Sequence, residues 1–205
     1  MSLTAPLIAY HIAGQPPSTP LGQLMTYRVA GNGIFVHAQR PEWTAQLPYT
    51  STGISGLPHL ESSFTFHLPR VPMAILERIL HEAYEAIPHE RLWYLRYTGR
   101  TWICEAPPQR ATPYSVQPTA QYDPHAYAQV HLEIHSHHDM PAVFSAQDNA
   151  DETGCRLYAV LGTLTSIPTL HTRVGAWGHF CSLASSSIWT LPSSITDHLY
   201  PQEPR

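Results

Sequence analysis

The chain has 205 residues, with 11 basic and 15 acidic side chains, a formal charge of -4, 20 prolines, 14 histidines and three cysteines. That length suits one ordinary domain with additions, or two small ones. The charge balance and the lack of basic runs argue against a nucleic-acid surface, and no stretch nears the roughly 18 consecutive apolar residues of a membrane span.

Residues 1–14 lack the basic start of a secretory signal. Cys104, Cys155 and Cys181 are odd in number and far apart, which fits thiols in a reducing cytoplasm rather than a disulfide framework.

Taken in order, residues 1–69 read as a separate β-rich N-terminal domain. Runs at 7–12, 25–30 and 33–38 are strand-like, Gly31-Asn32-Gly33 is a hairpin turn signal, and residues 16–20 are a Pro-rich loop. No cluster of reactive side chains occurs here, so the segment is expected to recognise a partner or pad the rest, and to fold apart from it.

A second domain spans 70–190. Ile75, Leu76, Ile79, Leu80, Ala83 and Ile87 recur at helical spacing, with Pro72 at the first turn and Pro88 at the end. Residues 91–97 and 101–105 read as a hairpin, and 106–124 as a long loop of the kind that is often functional. From 128 to 134 the chain alternates. Val130, Leu132 and Ile134 point one way, while His131, Glu133, His135 and His137 point the other. A buried-type strand at 156–164 and further strands at 169–174 and after Trp177 follow, and residues 191–205 form a tail. The class is α/β (α+β).

The chemistry concentrates between 135 and 148. Side chains two apart on a strand share a face about 6.6 Å apart, so His135 and His137 can converge on one ion. Ser145 reads as the N-cap of a helix stopped by Gly154, which places Asp148 on its first turn. Two imidazoles and a carboxylate suit Zn²⁺, and three protein ligands leave a position open, as catalytic zinc sites do. Spacing alone leaves other readings open: Ser-x-x-Asp is also a capping box, and two histidines with one carboxylate also suit non-haem iron.

His135-x-His137-x(7)-Ser145-x(2)-Asp148 resembles the JAMM signature of the JAB/MPN metalloprotease family at all four positions and in spacing. It departs at His138, where the family usually has Pro; the proline here is Pro141. The resemblance implies a JAB/MPN-type mixed β-sheet flanked by helices, similar to the cytidine deaminase-like fold. It implies Zn²⁺ on His135, His137 and Asp148, and hydrolysis of a peptide or isopeptide bond after the C-terminal tail of a ubiquitin-like protein.

The resemblance also implies Glu90, in Pro88-His89-Glu90-Arg91-Leu92 after the helix, as general base, with Leu92-Trp93 replacing the family's usual Cys-Gly. Ser145 would donate to the developing oxyanion. Glu105 and Glu133 are rivals for the base. Glu133, two residues behind His135 on the same face, better suits a hydrogen bond to a ligand imidazole. His138 is expected at the rim as a solvated loop residue.

Wider stretches are similar to the PRTRC system protein A family within that group: Ala30-Gly31-Asn32-Gly33-Ile34-Phe35, the approach to Val71-Pro72, and the wording around the site through Gly162. That bacterial, often plasmid-borne cassette also encodes relatives of ubiquitin-activating and ubiquitin-conjugating enzymes, which the resemblance implies as partners. Every one of the 11 basic residues is Arg. A GC-rich coding sequence accounts for this; a protein beside a lysine-targeting pathway that avoids its own conjugation is the sharper alternative.

Two competitors come from other classes. His131-Leu132-Glu133 imitates the His-x-Glu of nucleobase deaminases, but no two cysteines are near enough to supply the Pro-Cys-x-x-Cys that such enzymes need. A non-catalytic or partner-activated MPN scaffold that binds a ubiquitin-like protein is the other, although scaffolds of that kind usually lack a ligand and this chain has all three.

Overall fold

The computed structural model describes residues 5–17, 19–119 and 123–199. Five strands come first: β1 (Ile8–Ile12), β2 (Met25–Ala30), β3 (Gly33–Arg40), β4 (Trp43–Ser51) and β5 (Ser63–Phe66). They pair in sequence order, antiparallel throughout except for the parallel β1–β2 pair. The Ala30–Gly33 turn closes β2 onto β3 as the Gly-Asn-Gly signal predicts.

Helix α1 (Met73–Ala86) follows, with Pro72 as its N-cap and Leu76, Ile79 and Ala83 forming its buried stripe. Next come β6 (Leu92–Tyr97) and β7 (Trp102–Glu105), then β8 (Gln109–Thr112) and β9 (Ser115–Pro118). The stretch expected to be a long loop therefore contains a second hairpin. Residues 120–122 of that stretch lie outside the described residues.

Helix α2 (Pro124–Ala128) is capped by the Asp123 side chain and has Pro124 at its first position. It takes the place where the strand was expected to begin, so β10 covers only Leu132–Ser136. After it come α3 (Ala146–Asp151), β11 (Cys155–Gly162), β12 (Thr169–Ala176), β13 (His179–Leu183) and the short β14 (Thr196–Asp197).

The second sheet runs β13-β12-β11-β10-β6-β7, with β14 beside β12. Only β10–β11 and β12–β14 are parallel; the other pairs are antiparallel. The chain is thus a strand-rich mixed α+β fold.

Alternation along these strands sorts their side chains. Leu132 and Ile134 of β10, Trp93 and Leu95 of β6, and Leu157, Ala159 and Leu161 of β11 enter the core with the α1 stripe. The opposite face carries Glu133, His135, Leu92 and Tyr94.

The five-stranded sheet packs into that same core through Val36, Ala38, Trp43, Ala45 and Leu47. Polar contacts reinforce the junction. Arg40 Nη1 donates to the Cys155 carbonyl at 2.8 Å, Trp102 Nε1 donates to the Pro69 carbonyl at 2.9 Å, and His131 Nε2 lies 3.1 Å from Glu42. The 1–69 and 70–190 segments therefore have separate sheets but one shared interior.

The tail is anchored as far as His198, whose amide donates to the Leu170 carbonyl. Ile195 is buried, β14 pairs with β12, and the Asp197 carboxylate accepts from the Ser185 and Ser186 amides. Residues 200–205 of the tail lie outside the described residues. Cys181 is buried while Cys104 and Cys155 are half-buried, and none of the three is in a disulfide. No helix among the described residues is long and apolar enough to cross a membrane.

Candidate metal centre

β10 delivers His135 to the open face of the sheet, and His137 follows one residue beyond the strand, its amide still bonded to the Leu161 carbonyl of β11 at 2.7 Å. The loop from His138 to Phe144 then runs along the end of β11. Thr163 and Leu164 donate to the Met140 and His138 carbonyls. Gly162 makes this approach possible: a Cβ there would come within 2.5 Å of the Ala142 nitrogen and 2.6 Å of the Met140 oxygen.

The loop feeds α3 at Ser145, whose side chain accepts from the Asp148 amide at 3.1 Å while the Asp148 carboxylate accepts from the Ser145 amide at 2.5 Å. The capping box is present. It does not exclude the ligand reading, because it uses Asp148 Oδ2 and leaves Oδ1 facing His135 Nε2 at 3.4 Å.

His135, His137 and Asp148 come together, with their donor atoms all within 4.8 Å of one another and the two Nε2 atoms 3.1 Å apart. Donors about 2.0–2.1 Å from a tetrahedral Zn²⁺ sit about 3.3–3.4 Å from each other, so the two short spacings match a tetrahedral edge.

Protonation agrees with that use. The His137 Nδ1–H donates to the Pro141 carbonyl at 3.1 Å, which leaves Nε2 with its lone pair. Pro141 is thus the residue that orients the His137 ring. Burial pushes the His135 imidazole down to about 4 and lowers His137 too, so both are neutral donors near pH 7.

Glu90 precedes β6 and is 4 % exposed, with Oε1 3.7 Å from His137 Nε2. Burial, and then the Asp148 charge, raise its carboxyl from 4.5 to about 7. Its main chain is fixed from both sides: the Glu90 amide donates to Thr112 of β8 at 2.9 Å, and the next amide, Arg91, donates to Ser136 Oγ at 3.0 Å. Ser136, the residue between the two histidines, therefore ties the Glu90 segment to the strand of His135, a role that the spacing did not reveal.

The rival carboxylates lie elsewhere. Glu133 is on the His135 face as alternation predicts, but its Oε1 is held by Arg156 Nη1 at 2.9 Å and the Tyr127 hydroxyl at 2.7 Å. The expected bond from Glu133 to a ligand imidazole is replaced by this buried ion pair. Glu105 is on β7 and does not line the cleft that leads to the donors. His138 is not a solvated rim residue: it is half-buried, and its Nε2–H donates to the Pro113 carbonyl at 2.8 Å, fastening the β8–β9 turn to the ligand loop.

That cleft has a volume of about 830 Å³. Its walls are β9 with Tyr114 on one side and Met140, Pro141 and Val143 on the other. Its floor passes from His137 and His135 to Leu92, Tyr94 and Glu133, under Tyr127 of α2. Sequence reading also missed Arg173 and His171 of β12, which lie two strands away from β10 yet contact the ligand segment. His171 Nδ1–H donates to the Ala142 carbonyl at 3.2 Å, and Nε2 lies 2.9 Å from Ser182 Oγ. A single buried His or Arg in an apolar strand gives no sequence signal of such a role.

No protein-family model matches the chain, and no curated protein is significantly similar to it; what characterises it is therefore the site itself, a His135–His137–Asp148 group that could hold a metal ion beside the buried Glu90.

Proposed function

We propose that the protein is a zinc-dependent metalloprotease of JAMM type, with a JAB/MPN-like fold, which hydrolyses a peptide or isopeptide bond after the tail of a ubiquitin-like protein. The observation that carries this reading is the convergence of three neutral or anionic donors, all within 4.8 Å of one another, with a carboxylate of raised pKa beside them. A bound Zn²⁺ would supply Lewis acidity at the scissile carbonyl and acidify a water.

The chain's own groups do the rest. Glu90, poised near 7, accepts the water's proton and returns it to the leaving amine. The Ser145 oxygen uses a lone pair to cap α3, which leaves its O–H free to donate to the developing oxyanion. The hairpin β8–β9 and the 140–143 loop flank the cleft, and an extended tail between them can add main-chain hydrogen bonds to a strand edge. Tails that end in small residues can bring their backbone close to the donors. Relatives of the activating and conjugating enzymes of such a cassette are the partners in this reading, and the working compartment is the cytoplasm.

The experiment is incubation of the purified chain with fusions of ubiquitin-like proteins, with and without a chelator, alongside measurement of zinc content. Chelator-sensitive cleavage with about one zinc per chain is expected. Stoichiometric zinc without cleavage of any fusion would instead favour the scaffold reading, a binder of the ubiquitin-like protein or its enzymes. Absence of zinc would remove the protease reading and leave the scaffold one.

A further inference from the structure

Two of the three proposed ligands, His135 and His137, come from β10 and the residue just beyond it, inside a sheet. The third, Asp148, projects from α3, a six-residue helix with no buried residue of its own. A helix that short is not stable by itself, so its position must be imposed from outside. The capping box fixes Ser145 and Asp148 relative to each other and leaves their placement against β10 undetermined.

The external contacts converge on one side chain. Arg173 of β12 is 5 % exposed, and its guanidinium lies between two aromatic rings, 3.7 Å from the centre of Phe144 and 3.8 Å from that of Phe180. Its nitrogens donate to Glu152 Oε2 at 2.9 and 2.5 Å and to Asn149 Oδ1 at 2.5 Å. Phe144 is the residue before the helix cap, Asn149 follows Asp148, and Glu152 is the C-cap. One buried cation thus grips the ligand segment before, beside and after Asp148. Phe144 also lies edge-on to His135, with ring centres 6.4 Å apart, which links the grip to the β10 ligands.

We infer that Arg173 is the positioning residue of the metal centre, which holds Asp148 and Ser145 in register with His135 and His137. The inference rests on the metal reading proposed above. A guanidinium suits this role because its rigid planar fork bonds two acceptors at once and stacks between two rings, which an ammonium cannot do. The contacts are charge-assisted and shielded from water, so they fix geometry rather than merely adding stability.

The test uses full-length protein and cobalt as a spectroscopic substitute for zinc. The parent, Arg173→Lys and Asn149→Ala are titrated with Co²⁺ while the visible d–d bands are recorded, and Zn²⁺ affinity is measured by chelator competition. Folding is followed in parallel by circular dichroism and thermal melting. Arg173→Lys keeps a cation for Glu152 but loses the fork and the stack; it is expected to weaken Zn²⁺ binding at least tenfold and to change the intensity and position of the cobalt bands. Asn149→Ala removes one contact from a helix with no buried residue of its own, so the fold should persist, and should weaken binding several-fold with a smaller change in the bands. A general loss of stability would lower the melting temperature and leave the cobalt spectrum of the folded fraction as in the parent, which overturns the inference. So do folded variants with parental affinity and bands, and if Arg173→Lys does not fold, Asn149→Ala decides by the same criteria. A parent that takes up no metal overturns the metal reading, and the grip with it; a loaded parent with unaltered variants overturns the grip alone.

Discussion

Replacing Glu90 by Gln separates function from stability in opposite directions, and half of the result can be read without knowing the substrate. The amide is nearly isosteric, so the cleft and the donors should persist, but it cannot accept a proton, and general-base assistance is worth roughly 10²–10⁴ in rate. For stability the sign is reversed. Burial raises the Glu90 carboxyl from 4.5 to about 7 in the folded chain. The unfolded chain ionises it from about 4.5 upward, so this group's contribution to stability is present below 4.5 and is lost as pH rises through 7. A displacement of that size corresponds in full to about 3 kcal/mol. The carboxylate faces an open cleft, and solvent screening brings the expected effect to about 1 kcal/mol. Urea unfolding of metal-free parent and Glu90→Gln at pH 4.5 and pH 8 is the assay. Equal stability at pH 4.5 and a gain of about 1 kcal/mol for the variant at pH 8 are expected, and the gain should shrink when zinc is added, because a nearby cation favours the carboxylate. A variant less stable than the parent by the same amount at both pH values would refute the burial argument. Should Glu133→Gln be the inactive variant while Glu90→Gln cleaves, the proton acceptor has been assigned to the wrong carboxylate.

His137→Ala should lose most of the bound zinc, since two remaining protein donors hold the ion poorly; normal metal content would strike His137 from the ligand set. A fusion whose Gly-Gly junction is changed to β-branched residues should be cleaved at least tenfold more slowly, equivalent to about 1.4 kcal/mol of transition-state binding, and equal cleavage would show that the tail is not read. His171 is pushed down by burial from 6.5 to about 4. Stability should therefore decline as pH falls from about 6.5 towards 4, and a His171→Gln variant should show a shallower decline in the same window. Deleting residues 1–68 removes Val36, Trp43 and Leu47 from the shared core and the Phe66 ring stacked on Trp102. The truncated chain should lose its cooperative melt, and a sharp, zinc-loaded melt would show that the second sheet stands alone.

Where a local pattern determined the outcome, the sequence was legible. The α1 stripe, the Gly-Asn-Gly turn, the alternation over 132–135 and the Ser145 cap each follow from neighbours within a few residues, and each is present. By contrast Val130, ahead of the strand, packs with Leu92 and Tyr94 instead of Leu132, and His131 turns to Glu42. β4 was missed because Pro48 interrupts its reading and the bulge near Phe35 shifts the register opposite it. The 106–124 stretch reads as loop on its prolines, yet Gln109 secures it by bonding both the amide and the carbonyl of Leu92, a long-range contact that no local rule contains. Donor convergence could be inferred from spacing, whereas the roles of Ser136, His171 and Arg173 depend on strand order, which spacing does not encode.

The three donors all lie within residues 135–148, while Glu90 reaches them only after β6 has docked beside β10. Asp148 in turn takes its place only where Arg173 of β12 grips α3. The candidate ion site and the carboxylate beside it are thus both products of the assembled sheet rather than of the local chain. A chain cut short before β12 would carry all three donor residues without the contacts that bring them into register.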